Sequence, residues 1–174
     1  MRTLVGTRSR IVGIAASLLV AAGTSASIVG PSQANAAPSA EPHYVKTIRC
    51  DSANPWPKPR IRLPVDIYTG IRFPSDGLPG PAIELRANQP ITGDPWLNIT
   101  EYTISTRVSW HNLRTGRRGV VVTPTRAHRV TWQAVVHPGT GPVKLTIRQK
   151  IGAMAWNPMV NPQYSRCGTT INAW

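Results

Sequence analysis

Three arginines, Arg114, Arg117 and Arg118, stand close together in a polar, glycine-containing stretch that follows His111. A guanidinium carries a planar fork of N–H donors that matches two oxygens of a phosphate or carboxylate group. Several such groups in one loop therefore predict a site for an anionic ligand. The same residues also suit a solvated loop whose charge keeps the neighbouring strands from pairing with other chains, and that alternative stays open.

A second basic group, Lys58, Arg60 and Arg62, occupies a proline-rich stretch. Proline lacks the N–H donor of a sheet ladder, so we expect an edge strand or an extended run here. Alternation would place the three cations on one side, where they form a second candidate anion-binding site. Trp96 and Trp156 fall in expected loops, where indole rings can stack on sugars or bases or lie at a lipid interface. The alternative is that these tryptophans cap the open ends of a core that has a single Phe.

The sequence contains no recognisable catalytic or metal-binding arrangement. No serine stands in a nucleophile-elbow context, and Ser109 with His111 is a pair that any polar strand face supplies. The histidines include no short pair such as His-x-x-x-His that would begin a zinc site, and no glycine loop has the spacing that cradles phosphate. We therefore expect no catalytic residue, no metal, no cofactor and a function other than catalysis.

Residues 1–36 are predicted to be a cleavable signal peptide. The segment starts with three arginines and no acidic residue, continues with apolar or small residues over 11–23, and ends at Ala34-Asn35-Ala36, a small-x-small pattern that a signal peptidase accepts. The apolar run is shorter than the roughly 20 residues of a spanning helix, which disfavours an uncleaved anchor. We expect the protein to be secreted or associated with the cell envelope.

The charge of the remaining chain restricts its partners. Removing residues 1–36 leaves 17 basic and 7 acidic residues, a net charge of +10, and 13 of the basic residues are arginines. A charge of this size attracts polyanions through long-range electrostatics and is no guide to the fold. We expect the partner to be an anionic envelope polymer, a lipid headgroup or a protein, with no specific recognition of nucleic acid.

Two cysteines, Cys50 and Cys167, enclose most of the expected exported chain. In an oxidising compartment an even number of cysteines predicts disulfide pairing, here one bond that staples the two ends of the domain. A metal pair or free thiols are the alternatives, and two cysteines so far apart are a poor start for a zinc site.

The rest of the chain alternates apolar and polar residues with a period of two, which predicts half-buried antiparallel strands. The clearest runs are residues 102–110, 128–136 and 143–149, and turns rich in Pro or Gly separate such runs. About seven short strands predict an all-β fold, an antiparallel β-sandwich that is immunoglobulin-like in the loose sense. The expected organisation is a signal peptide (1–36), a flexible segment with the first strand (37–49), the sandwich (50–167) and a C-terminal tail (168–174).

One hairpin stretch contains Trp110, Asn112, Thr115 and Gly116 in a Trp-x-Asn-x-x-Thr-Gly pattern. Together with the type of signal and a cysteine near each end of the domain, it resembles small exported Ig-like β-sandwich proteins of high-GC Gram-positive bacteria, most of which are uncharacterised. The resemblance covers about a third of the chain and implies a fold and a compartment more than an activity. The antibody pattern, in which two cysteines join facing strands over a shorter loop, does not fit this spacing.

These observations support one leading function and two alternatives. The leading hypothesis is a secreted cationic β-sandwich that binds an anionic component of the cell envelope through its arginine-rich loops. The alternatives are a protein-binding module, such as an inhibitor or an accessory subunit, and a secreted membrane-active toxin.

Overall fold

A computed structural model describes residues 42–91, 100–153 and 159–174 of the 174-residue chain. This part contains eight β-strands and no helix, so none of its segments is a helix that could cross a membrane. The predicted signal peptide lies outside the described residues. The strands are β1 (His43–Arg49), β2 (Pro64–Ile71), β3 (Ala82–Asn88), β4 (Tyr102–Asn112), β5 (Arg118–Ala127), β6 (Thr131–Val136), β7 (Gly141–Ala153) and β8 (Val160–Ala173).

The strands form two four-stranded antiparallel sheets. The first sheet has the order β1-β2-β3-β6 and the second has the order β5-β4-β7-β8. The edge strands β5 and β6 follow each other in the chain, and a disulfide between Cys50, directly after β1, and Cys167 in β8 joins the other two edges. The predicted all-β sandwich and its end-to-end disulfide are confirmed, with eight strands rather than about seven.

The order of the strands departs from the immunoglobulin arrangement. In that arrangement the third strand crosses to the second sheet, whereas β3 stays beside β2 in the first sheet. The immunoglobulin-like part of the prediction is therefore not confirmed.

Two segments differ from what the sequence predicts. Residues 168–173, expected to be a tail, form the second half of β8 and pair with β7, because Ile171 and Ala173 alternate into the core. The proline-rich stretch after Cys50 is neither an edge strand nor an extended run. It folds back on itself through a bridge between Ser52 and Ile61.

The core lies between the inward faces of the two sheets. Alternation places Ile104 and Val108 of β4 against the same interior as Ile67 and Leu85 of the first sheet, and all four are almost completely buried. Because even-numbered residues of β4 point inward, its odd-numbered residues point outward. The same rule, applied through the pairing register, defines the outer face of the whole second sheet.

Candidate functional site

The outer face of the second sheet carries basic side chains on all four of its strands. The register of β4, β5, β7 and β8 brings seven of them to this one surface. One of the seven, Arg126 of β5, is paired with Glu101 (2.9 Å), and we call the surface formed by the other six the cationic face. No acidic side chain within the described residues forms an ion pair with any of the six. The cationic face consists of Arg107, Arg118, Lys144, Arg148, Lys150 and Arg166.

Three of these arginines stand directly opposite one another. Arg107 of β4 pairs with Arg148 of β7, which in turn pairs with Arg166 of β8, and all three side chains are exposed. Residues opposite each other on neighbouring strands have Cβ atoms about 5 Å apart, and like charges in such positions destabilise the sheet. The row concentrates positive charge at a cost in stability, as expected of a surface that binds anions.

A second row crosses all four strands nearer the end of the sandwich. Arg118 of β5 pairs with His111, His111 pairs with Lys144, and Lys144 pairs with Thr170. Along β7, Lys144, Arg148 and Lys150 all point away from the core, because every second residue of a strand lies on the same face. The cationic face is therefore a track along β7 with a lateral extension toward β5.

Hydroxyl and apolar groups occupy the positions between the charges. Ser109 and Thr146 form a pair between the two basic rows, while Val120 and Val122 are exposed on β5. Pro124, also on β5, has no N–H to offer to another strand, which protects this edge from pairing. Open depressions lie beside the chain at Gly119 and at Gly168.

The outer face of the first sheet contains a charge pair with one nearly buried member. Glu84 is only 4% exposed, and it accepts hydrogen bonds from the Nε and Nη2 atoms of Arg86 (2.8 and 2.9 Å) and from Gln133. The hydrogen bond to Glu84 raises the pKa of Arg86, whose guanidinium lies 4.9 Å from the ring centre of Tyr68. This cluster is satisfied internally and offers no free charge to a ligand.

The predicted arginine loop is divided between two roles. Arg114 donates from Nη2 to the carbonyl oxygen of Thr140 (2.8 Å), which ties its side chain to the loop before β7. Arg117 is exposed in the turn, and Arg118 alone joins the cationic face as the first residue of β5. All three arginines are exposed in the same hairpin, and their joint role in binding an anion stays a prediction.

Asn112 explains the shape of that loop. Its buried side chain donates from Nδ2 to the carbonyl oxygens of Pro138 and Thr140, and its Oδ1 accepts from the backbone N–H groups of Arg114 and Thr115, each at 3.0 Å. The pattern shared with the resembled proteins thus contains a residue whose role is to hold two loops together.

The second predicted basic group lies at the opposite end of the sandwich. Lys58 Nζ lies 3.3 Å from Thr100 Oγ1, just before β4 begins, whereas Arg114 follows the end of β4. A strand of that length spans roughly 35 Å, so the structure does not bring the two predicted groups together. Arg60 and Arg62 are exposed in the loop before β2.

The predicted aromatic contacts Trp96 and Trp156 lie outside the described residues. Two other tryptophans belong to the core: Trp132 is buried, and Trp110 is partly buried against the core. Trp56 also packs on the core, and its Nε1 donates to the carbonyl oxygen of Glu101 (3.1 Å). Trp56 therefore caps one end of the sandwich.

Five residues of the cationic face were not among the predicted site residues. Arg107, Lys144 and Arg148 each occupy the polar positions of an alternating run, which is the signal that was available in the sequence. What joins them is the register between strands, which local patterns do not contain.

The described residues contain no group of three His, Cys, Asp or Glu side chains placed to hold a metal ion. His137 Nε2 lies 2.8 Å from Asp76 Oδ2 beside the first sheet. Slight burial disfavours the ionised Asp76, but its contacts with His137 and Leu78 hold its pKa below the ordinary value. This pair lies apart from the strands that build the cationic face. The cationic face has a different chemistry, since its basic side chains can attract an extended anion.

No family model matches the chain, and comparisons with curated proteins and with solved structures find no match. The resemblance of the hairpin to exported Ig-like proteins therefore stays a prediction, and the functional argument depends on the geometry of the cationic face.

Proposed function

We propose that this chain is an exported, non-enzymatic binding protein that holds an anionic polymer of the cell envelope on its cationic face. The observation that carries the proposal is the row of Arg107, Arg148 and Arg166, three like charges on adjacent strands without an acidic partner among the described residues. Such a row costs stability in the free protein, and an anionic ligand would remove that cost.

The dimensions of the cationic face favour an extended ligand. From Lys144 to Lys150 along β7 the outward positions cover about 20 Å, and four strands across measure about 14 Å. Arginine dominates the face, and its fork binds phosphate or carboxylate oxygens in pairs. A polymer with repeated negative charges can occupy several of these side chains at once.

The compartment is supported by two independent observations. The disulfide between Cys50 and Cys167 is compatible with an extracellular location, and residues 1–36 have the zones of a signal peptide. Once exported, the protein would be in contact with the anionic polymers of the envelope rather than with intracellular polyanions.

The test is the retention of the purified protein on isolated cell envelopes and on an immobilised anionic polymer. We expect retention to persist at about 0.15 M salt and to fall at higher salt, because exposed charges are progressively screened. A triple variant, Arg107→Gln, Arg148→Gln and Arg166→Gln, should lose retention. The matched control Arg60→Gln, Arg62→Gln and Arg72→Gln removes the same charge from exposed positions elsewhere and should keep it.

Four results would overturn the proposal. Elution far below 0.15 M salt would mean that the attraction is too weak to operate outside the cell, and equal losses in both triple variants would mean that net charge rather than the cationic face is responsible. Leakage of anionic vesicles would favour the toxin instead. A stoichiometric protein partner whose binding resists salt would favour the protein-binding module.

A further inference from the structure

Within the cationic face, we infer that the depression at Gly168 is a subsite for one phosphate group of a phosphodiester polymer. This inference rests on the proposed function, because it names the ligand class of the same surface. The depression lies between β7 and β8, and its lining includes Lys144, Thr146, Arg166 and Thr170.

The register of β7 and β8 places these four groups around a gap. Thr146 pairs with Gly168, so one side of this outward-facing pair carries no side chain. Lys144 and Thr170 form the next outward pair on one side, and Arg166 contributes to the next pair on the other side. The two cations therefore stand diagonally across the gap, with a hydroxyl group beside each.

The gap is a fixed feature of the fold. A Cβ atom at Gly168 would lie 2.6 Å from the carbonyl oxygen of Leu145, which is a backbone atom that cannot easily move. Glycine is required by this close approach of β8 to β7, and the depression opens beside it on the outer surface.

The donors in the depression are available to a ligand. Neither the Thr146 nor the Thr170 side chain makes a hydrogen bond to another described residue, and neither Lys144 nor Arg166 forms an ion pair there. Lys46 of β1 adds a further cation near the rim, since its Nζ donates to the carbonyl oxygen of Thr170 (3.2 Å). The depression is therefore surrounded by cations and by two hydroxyl groups that have no hydrogen-bond partner among the described residues.

The arrangement of the donors favours phosphate over carboxylate. A carboxylate presents two oxygens in one plane, whereas the four side chains that line the depression come from both strands and from both sides of Gly168. A phosphate is tetrahedral and directs its oxygens to several sides, and both guanidinium and ammonium groups bind it. Two hydroxyl donors complete a site for a tetrahedral oxyanion.

The rest of the track favours a polymer with a short, linear repeat. Outward positions along β7 recur about every 6.8 Å, similar to the repeat of an extended three-carbon phosphodiester. A phosphate in the Gly168 depression would place the next one near Arg148 and a further one near Lys150. The subsite therefore sets the register of the polymer on the cationic face.

The test removes the hydroxyls without changing the charge. Thr146→Val together with Thr170→Val keeps the branched shape that strands favour, and Ser105→Ala is the control, a hydroxyl on the same face outside the depression. Affinities for a glycerol-phosphate oligomer and for polyglutamate of equal charge are measured by calorimetry at 0.15 M salt. We expect the double variant to bind the phosphate oligomer roughly tenfold more weakly than the wild type, and polyglutamate less than twofold more weakly. Ser105→Ala should change neither affinity.

The outcomes separate the subsite from the proposed function. If the wild type binds both oligomers and the double variant changes neither, or changes both equally, the subsite is wrong and the cationic face stands. If the wild type binds neither oligomer, both proposals fail. Dextran sulfate is measured as a third ligand. If the double variant loses affinity for dextran sulfate but not for the phosphate oligomer, the assignment to phosphate is wrong.

A measurement on the wild type keeps the test valid if the double variant does not fold. Inorganic phosphate should shift the backbone amide resonances of Gly168 and Thr146 in a saturable manner, and acetate at the same concentration should not. Shifts of equal size with both anions, or shifts confined to residues outside the depression, would overturn the subsite.

Discussion

Arg148 occupies the centre of the arginine row, between Arg107 and Arg166. Replacing it with glutamine removes one charge from two repulsive pairs and keeps most of the length of the side chain. We therefore expect Arg148→Gln to stabilise the free protein and to weaken its binding to anionic polymers. A substitution with these opposite effects would show that the charge is retained for binding at the expense of stability.

The size of the stabilisation follows from the geometry of the row. Two unit charges about 6 Å apart repel each other by about 0.7 kcal/mol in a medium with the dielectric constant of water. At 0.15 M ionic strength the screening length of about 8 Å reduces this by about half. With two neighbours, the free energy of unfolding should rise by about 0.7 kcal/mol at 0.15 M salt and by about 1 kcal/mol at 0.01 M salt.

Urea unfolding followed by tryptophan fluorescence measures both values, because Trp132 is buried in the core. Arg62→Gln is the control: Arg62 is exposed outside the cationic face and has no ion pair within the described residues. A loss of stability in Arg148→Gln at both salt concentrations would refute the reasoning. An equal gain in Arg62→Gln would attribute the effect to net charge rather than to the row.

Three further predictions concern the scaffold that presents the cationic face. Asn112→Asp removes two donors and sets a buried carboxylate against the carbonyl oxygens of Pro138 and Thr140. Urea unfolding should therefore show a free energy of unfolding that is lower by about 3 kcal/mol. In the control Asn88→Asp, at an exposed position, the free energy of unfolding should change by less than about 0.5 kcal/mol. Desolvation opposes the ionisation of Asp51, but the N–H of Leu63 and the guanidinium of Arg49 hold its pKa below 3.8. Because the pKa is depressed in the folded state, the ionised group stabilises the fold above pH 3.8 and loses this effect as the pH falls through the folded pKa. Asp51→Asn should therefore cost about 1 kcal/mol at pH 7 and progressively less as the pH falls through the folded pKa, and a difference that does not change with pH would contradict the assignment. Reducing the disulfide, which closes a loop with a sequence separation of 117, should cost about 4 to 5 kcal/mol, and an unfolding midpoint unaffected by reductant would contradict the pairing.

The strands were largely predictable because each contains its own period-two pattern. The run 102–110 became β4, and 143–149 lies within β7. The run predicted over 128–136 begins only at Thr131, because β5 and β6 belong to different sheets and the chain must turn between them. Alternation reports which side of a strand is buried, and it contains no information on where the chain changes sheet.

The cationic face could not be predicted in the same way because it depends on pairing between distant strands. Arg107 and Arg148 belong to different alternating runs, and only the register of β4 with β7 sets them opposite each other. The close spacing of Arg114, Arg117 and Arg118 in the sequence made them the predicted site, and one of them, Arg118, belongs to the cationic face. Arg166 lies in β8, whose second half was expected to be a tail.

The absence of neutralising acids on the cationic face does not follow from the architecture. Ser105 pairs with Lys150 on the outer side of the second sheet, at a position where a glutamate would face the lysine without entering the core. The first sheet contains such an acid, since Glu84 and Arg86 neutralise each other on its outer side. The second sheet also accepts such a pair beside the cationic face, where Glu101 pairs with Arg126 of β5. Packing therefore does not require the six cations that have no ion pair among the described residues, and the ligand that we propose for the cationic face would account for them.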